Sequence, residues 1–314
     1  MMVFGPIPSR RLGRSLGVNN IPPKVCSYSC IYCQIGRTNS LSIERKEFYP
    51  PDEIFREVSA KVKDLQGRGE KIDYISFVPD GEPTLDINLG QEISLLKSLE
   101  IKIAVITNSS FLNDENVRAD ILQADWVSLK IDSIDEKIWH NIDRPNGNLN
   151  LREILSGIKT FSKEFKGILV TETMLVKGLN DNAESIKAAS EFIKEINPNK
   201  AYILIPVRPP AEEFVDVPDE EKLNMAYQIF RASIKDVELL TYNEGTNFSY
   251  SSEAEKELLS ILAVHPMRKD AVEKFLNKAK AGWTLIDTLI QKDILKEVKY
   301  SGHRFLVRNL KSEI

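Results

Sequence analysis

Between residues 15 and 207 the chain alternates short apolar runs with amphipathic segments, and that alternation leaves few folds open. The apolar runs are 15–19, 73–78, 102–107, 126–131, 168–175 and 201–207, each of strand length. Segments with helical spacing lie between them at 51–65, 87–99, 114–123, 151–165 and 182–196. Pro50-Pro51-Asp52-Glu53 is a good helix start, because proline presets φ and acids favour the positive N-terminal end. Strands alternating with helices predict an α/β fold with a parallel sheet and right-handed crossovers. Six such units fit a partial barrel or a doubly wound sheet, and the local pattern is compatible with both.

The texture changes after Val207. Arg208-Pro209-Pro210 cannot continue a central strand, because proline donates no ladder hydrogen bond. A helix is expected over 218–235, and Ser249-Tyr250-Ser251-Ser252 reads as a linker or a helix start. Three helix candidates follow at 253–263, 268–277 and 280–292, then two short strands at 295–300 and 304–308. Three helices and a terminal hairpin outline a small C-terminal winged helix-turn-helix domain. The expected division is therefore 1–240 for the barrel and 250–314 for the winged helix. The second unit carries more Lys and Arg than Asp and Glu, while the rest of the chain carries fewer. A net charge of −4 argues against whole-surface attraction to nucleic acid. No apolar run reaches the length of a membrane span, and the N-terminus lacks a secretory pattern, so a cytoplasmic location is expected.

The chemistry-bearing feature is the cysteine triplet, Cys26-Ser27-Tyr28-Ser29-Cys30-Ile31-Tyr32-Cys33, which holds all 3 cysteines of the chain. So tight and odd a set is no disulfide framework. It follows the first strand candidate, which places it on a loop at the carboxyl end of a parallel sheet, where such folds build their sites. Thiolates are the usual ligands of iron–sulfur clusters. Three of them on a four-iron cube leave one iron open to a small molecule. The bland alternative is a structural zinc site. Zinc is normally closed by four ligands, and His140, His265 and His303 all lie far along the chain.

With Tyr32 immediately before the last cysteine, the triplet resembles the signature of the radical S-adenosylmethionine (radical SAM) superfamily. The resemblance covers roughly residues 9–207. It implies a partial (βα)6 TIM-type barrel and a [4Fe–4S] cluster on Cys26, Cys30 and Cys33. It further implies that S-adenosylmethionine chelates the open iron and is cleaved to a 5′-deoxyadenosyl radical. An electron donor of the flavodoxin or ferredoxin type is implied as partner. Pro79-Asp80-Gly81-Glu82-Pro83-Thr84 is similar to the superfamily's Gly-Gly-Glu-Pro segment, with Asp80 in place of the first glycine. That likeness puts Gly81, Glu82 and Pro83 beside the methionine amino group. Asn108, Ser128, Lys130 and Asp132, at the ends of the next two strands, are implied contacts to the cofactor, as is Tyr32. Ser128, Lys130 and Asp132 alternate and so share a strand face. Lys130 is the candidate catalytic residue, because lysine is rarely buried without a partner.

Residues 3–38 are also similar to a poorly characterised group of iron–sulfur oxidoreductases classed beside the wyosine-base enzymes of transfer RNA. That likeness implies a second cluster, which 3 cysteines cannot supply, so wyosine synthesis itself is not expected. The same shortage disfavours methylthiolation and cysteine-dependent RNA methylation. The function expected is single-cluster radical chemistry on an RNA or a protein or peptide substrate, held by the winged helix. The alternatives are a small anionic metabolite as substrate, or a winged-helix regulator with a sensing cluster. Cations that could receive an anion are Arg10, Arg11 and Arg14 before the first strand candidate, and Lys24, Arg37, Arg45 and Lys46 around the cysteines.

Overall fold

The structure, a computed structural model, describes residues 2–78, 80–241 and 253–309. It opens on an antiparallel hairpin of β1 (Val3–Ser9) and β2 (Gly13–Val18). A short parallel pair, β3 (Val25–Cys26) and β4 (Ser40–Leu41), frames the cysteine loop. Helix α1 (Pro51–Gly67) leads to β5 (Tyr74–Phe77), α2 (Leu89–Lys97) to β6 (Lys102–Thr107), and α3 (Glu115–Ile121) to β7 (Trp126–Lys130). Then come α4 (Glu136–Ile142), α5 (Leu151–Glu164), β8 (Ile168–Met174), α6 (Ala183–Ile196), β9 (Lys200–Leu204), α7 (Glu220–Ser233) and β10 (Val237–Leu240).

The strands form one sheet in the order β1-β2-β5-β6-β7-β8-β9-β10, parallel from β2 onward. The sheet is an open, partial barrel of the (βα) type with the antiparallel β1 added at one edge. Its outer strand faces carry Ile75, Phe77, Val105, Val127 and Leu129 into the main core beneath the helices. Alternation then turns Trp126, Ala104, Val170, Tyr202 and Leu204 inward, where Leu12 from the hairpin turn packs among them. Arg10 Nη1 donates to the carbonyl of Leu240 at 3.2 Å, reaching from the hairpin turn to the far edge strand.

Local chemistry explains the elements. Helix α5 buries Leu151, Ile154, Ile158 and Phe161, a 3–4 spacing that makes one apolar stripe. Its N-cap Asn150 accepts from the N–H groups of Arg152 and Glu153. Asp135 and Asn182 cap α4 and α6 in the same way.

The C-terminal unit contains α8 (Ala254–Val264), β11 (Met267–Arg268), α9 (Lys269–Ala279), α10 (Trp283–Gln291), β12 (Leu295–Tyr300) and β13 (His303–Arg308). Strand β13 pairs with both β12 and β11, giving the three helices and wing of a winged helix-turn-helix. Ser301 and Gly302 turn the hairpin with positive φ at both positions. The unit has its own core around Leu258, Val272, Phe275, Leu276, Leu289 and Leu306, and Ile7 of the barrel hairpin packs against it. Lys61 pairs with the buried Glu257 at 2.6 Å, and Tyr300 Oη donates to the Pro206 carbonyl at 2.9 Å. The segment read as a linker, 249–252, lies outside the described residues, as do 242–248 and 310–314. Among the described residues, no helix is long and apolar enough to cross a membrane.

Candidate functional site

Cys26 ends β3, directly after a turn in which two backbone segments nearly touch. Lys24 N–H donates to the Asp80 carbonyl at 2.7 Å, and Glu82 N–H to the Val25 carbonyl at 3.2 Å. A Cβ on Gly81 would lie 1.8 Å from the Val25 oxygen, so only glycine fits this approach. The far side of the cysteine loop is held by the end of α4. Ile31 N–H donates to Ile142 O, Ser29 N–H to Asp143 O, and Asn146 N–H to Ser27 O. Tyr28 forms an isolated bridge with Pro145.

All three cysteines line one cavity of about 310 Å³ at the carboxyl end of the barrel. Lys24, Tyr32, Asp80, Gly81, Glu82, Asn108, Lys130 and Glu172 line it too. Pro83, Ser128 and Asp132 do not. Pro83 is buried in a short 3₁₀ turn, and Ser128 Oγ donates to Glu172 at 2.6 Å. Asp132 accepts from Met174 N–H at 2.7 Å and from the Tyr32 hydroxyl. Glu82 is fully engaged: its carboxylate takes Thr84 Oγ1 and Thr107 Oγ1 at 2.6 Å and Asn108 N–H at 2.7 Å. Asn108 Nδ2 donates to Ser27 Oγ at 2.8 Å and reaches Cys26 Sγ at 3.6 Å.

Burial pushes the Cys26 thiol up to about 12 and raises Cys30 and Cys33 as well. Asp143, which accepts from Cys30 Sγ at 3.4 Å, adds to the rise at Cys30, while Lys130 opposes it. Binding a metal as thiolate therefore displaces protons from this site. Burial also works against the Lys130 charge, but Asp132, the Cys30 sulfur, Glu172 and Asp143 outweigh it and raise its pKa. Lys130 Nζ donates to Tyr32 Oη at 3.1 Å and lies 4.7 Å from the Tyr32 ring centre. A fixed positive charge thus faces the thiols.

The cations flanking the motif in sequence separate in space. Arg10, Arg11 and Lys24 line the cavity. Arg14 pairs with Glu70, Arg37 with Glu212 at 2.8 Å, and Arg45 with Asp120 at 2.8 Å, while Lys46 lies over Phe48. Several site residues carry no motif. Glu172 interrupts an apolar strand run, which is the one signal it gives, since a buried carboxylate needs partners. Gln34, Asp143, Glu212 and His265 give no such signal.

A cluster and a single ion make different demands on a donor set. Among the described residues, no three His, Cys, Asp or Glu side chains gather in a way that would hold a single metal ion. A four-iron cube binds each thiolate at a different corner, so its ligands stand wider apart than those of one ion. Three thiols on one roomy cavity, with a cation facing them, fit the larger group.

An open parallel barrel with a three-cysteine loop at its carboxyl mouth places the candidate site at the end where barrels of this kind build theirs. The family model described as the radical SAM superfamily matches residues 20–192. Over 313 residues the chain is 46% identical to UPF0026 protein MJ1312 of Methanocaldococcus jannaschii, covering 99% of this chain and 97% of that protein. UPF0026 protein slr1464 of Synechocystis sp. is 36% identical over 209 residues, 66% of this chain and 76% of that one. A solved radical SAM methyltransferase from Sphaerobacter thermophilus shares the fold with a TM-score of 0.55 at 16% identity, over 72% of this chain and 66% of that one. The chain belongs to the radical SAM superfamily.

Proposed function

We propose that the chain holds one [4Fe–4S] cluster on Cys26, Cys30 and Cys33 and cleaves S-adenosylmethionine beside it to modify a substrate in the same cavity. The observation that carries this reading is the convergence of all three thiols on one cavity at the barrel mouth. When bound, the cluster supplies the electron that breaks the sulfonium bond. The chain's own residues hold and orient. Gly81, Glu82 and Asn108 form the wall beside Cys26, with Pro83 shaping the turn behind them. Ser128 anchors Glu172, and Asp132 anchors Tyr32. Lys130 is the catalytic residue of this reading, a charge kept in place by its acidic neighbours and open to the cavity.

Val264 and His265 of the C-terminal unit line the same cavity, so that unit is a wall of the site. An RNA or peptide substrate would meet the unit at this wall. The regulator reading gains nothing from α10, whose sequence WTLIDTLIQ has no basic residue to present to DNA. The test is anaerobic reconstitution. About four iron atoms per chain and 5′-deoxyadenosine from S-adenosylmethionine are expected, both lost in Cys30→Ala. Undiminished cleavage by that variant would overturn the proposal.

A further inference from the structure

The cavity has a second chemical pole, away from the cysteines. Arg10 and Arg11 come from the hairpin turn, Arg208 follows β9, and His265 caps α8; all four line the cavity. Arg11 Nη1 pairs with the buried Glu172 at 2.6 Å. Burial works to raise the Glu172 carboxyl, yet Arg11, Lys130, the Ser128 hydroxyl and Arg10 together hold it below the ordinary range. Arg11 and Glu172 therefore form a buried ion pair with Arg10 nearby, while Lys130 also answers to Asp132 and Asp143. Arg11 Nε is buried and has no hydrogen-bond partner among the described residues. A buried donor without a partner points to a group that the protein itself does not supply.

We propose that Arg10 and Arg11, with Arg208 and His265 across the cavity, form a binding site for an oxyanion of the substrate, a phosphate or a carboxylate. A planar guanidinium matches both groups by paired hydrogen bonds. The four side chains come from three separate parts of the chain, including the C-terminal unit, which makes the site a product of the assembled fold. Calling the ion part of a substrate rests on the radical-enzyme reading, but the site's existence is tested by ion binding alone.

The experiment titrates inorganic phosphate and, separately, malonate into the reconstituted full-length protein at low ionic strength, followed by calorimetry. One saturable site per chain is expected, and the tighter anion identifies phosphate or carboxylate as the preferred group. Arg10→Gln should weaken that binding at least about tenfold, the scale of a charge-assisted hydrogen bond. Arg11→Lys keeps a cation beside Glu172, preserves the fold, and removes the fork; it should weaken binding severalfold. The visible absorbance of the cluster reports that each variant is folded. Absence of saturable binding by both anions, or wild-type affinity in both variants, overturns the proposal. So does phosphate displacing S-adenosylmethionine, because the cations would then serve the cofactor's carboxylate. Phosphate binding in a protein that forms no 5′-deoxyadenosine would sink the radical reading and leave the site standing.

Discussion

Gln34 Nε2 donates to the backbone carbonyl of Val264 at 2.7 Å, joining the residue after the last cysteine to the last residue of α8. The same amide's oxygen accepts from Arg208 Nη1. One side chain thus ties the cysteine loop, the segment after β9 and the C-terminal unit together. Deleting residues 253–314 should therefore strip a wall from the cavity, uncover Ile7 and leave Lys61 without its buried partner Glu257. The truncated protein is expected to be poorly soluble and to retain little iron. Gln34→Ala should be milder, costing about 1–2 kcal/mol and speeding amide exchange in α8. A soluble truncated protein with full iron content would show that the unit is an independent appendage.

Glu212 makes a second clamp. Its carboxylate accepts two bonds from Arg37 at 2.8 Å and one from Arg144, and its own N–H donates to Ile31 O at 3.0 Å. The Arg37 bonds hold this carboxyl below the usual range, against the effect of burial, and Arg144 adds to them. A depressed carboxylate stabilises the fold above its unfolded-state pKa, and that contribution is lost as pH falls through the lower folded value. Glu212→Gln should lower Tm by roughly 2–4 °C at neutral pH, less at high salt because Arg37 is exposed. The gap between wild type and variant should close in acid. Thermal melts across pH check this, and a gap that widens in acid would contradict it.

Gly81→Ala tests the backbone contact beneath Cys26. A methyl group 1.8 Å from the Val25 oxygen cannot be accommodated by rotating a side chain, because the obstacle is backbone. The substitution should cost about 1–3 kcal/mol and push β3 out of place. Urea midpoints and iron content after reconstitution should fall together. Normal values of both would mean that the turn has slack that its geometry does not show.

Much of this architecture is legible in the amino-acid sequence. All six apolar runs become parallel strands, because β-branched and apolar residues bounded by polar turns have few other uses in a chain of this pattern. Strand β1 is not legible, since Pro6 and Pro8 read as turn residues. It forms because it is an edge strand, where a missing N–H breaks no ladder. Strand β10 is short and half-polar, VELL, and α4 has only Trp139 and Ile142 buried, so neither shows a strong period. Within the site, the cysteines and the Gly81–Glu82 turn stand out as local motifs. The contacts from Gln34 to Val264 and from Arg11 to Glu172 do not, since each joins residues more than 150 positions apart and nothing in the local pattern of either end names its partner.

The Asn108 side-chain amide is shared between Ser27 Oγ and Cys26 Sγ. An N–H pointing at a thiolate stabilises negative charge on sulfur, and reduction adds negative charge to a cluster. With the cluster bound on Cys26, Asn108→Ala should favour the oxidised state. If that one hydrogen bond differs by about 1 kcal/mol between the two states, the potential should fall by about 40 mV. Ser27→Ala provides the control, because it removes the competing acceptor and leaves the amide to the sulfur. Its potential should stay level or rise. Asn108 also accepts from Ser110 N–H at 3.0 Å, so the alanine variant will lose some stability in addition. Redox titration followed by electron paramagnetic resonance separates the two effects, since a destabilised but intact site loses signal amplitude without moving its midpoint. An unchanged midpoint in Asn108→Ala, with the cluster signal present, would mean that this amide does not act on the sulfur.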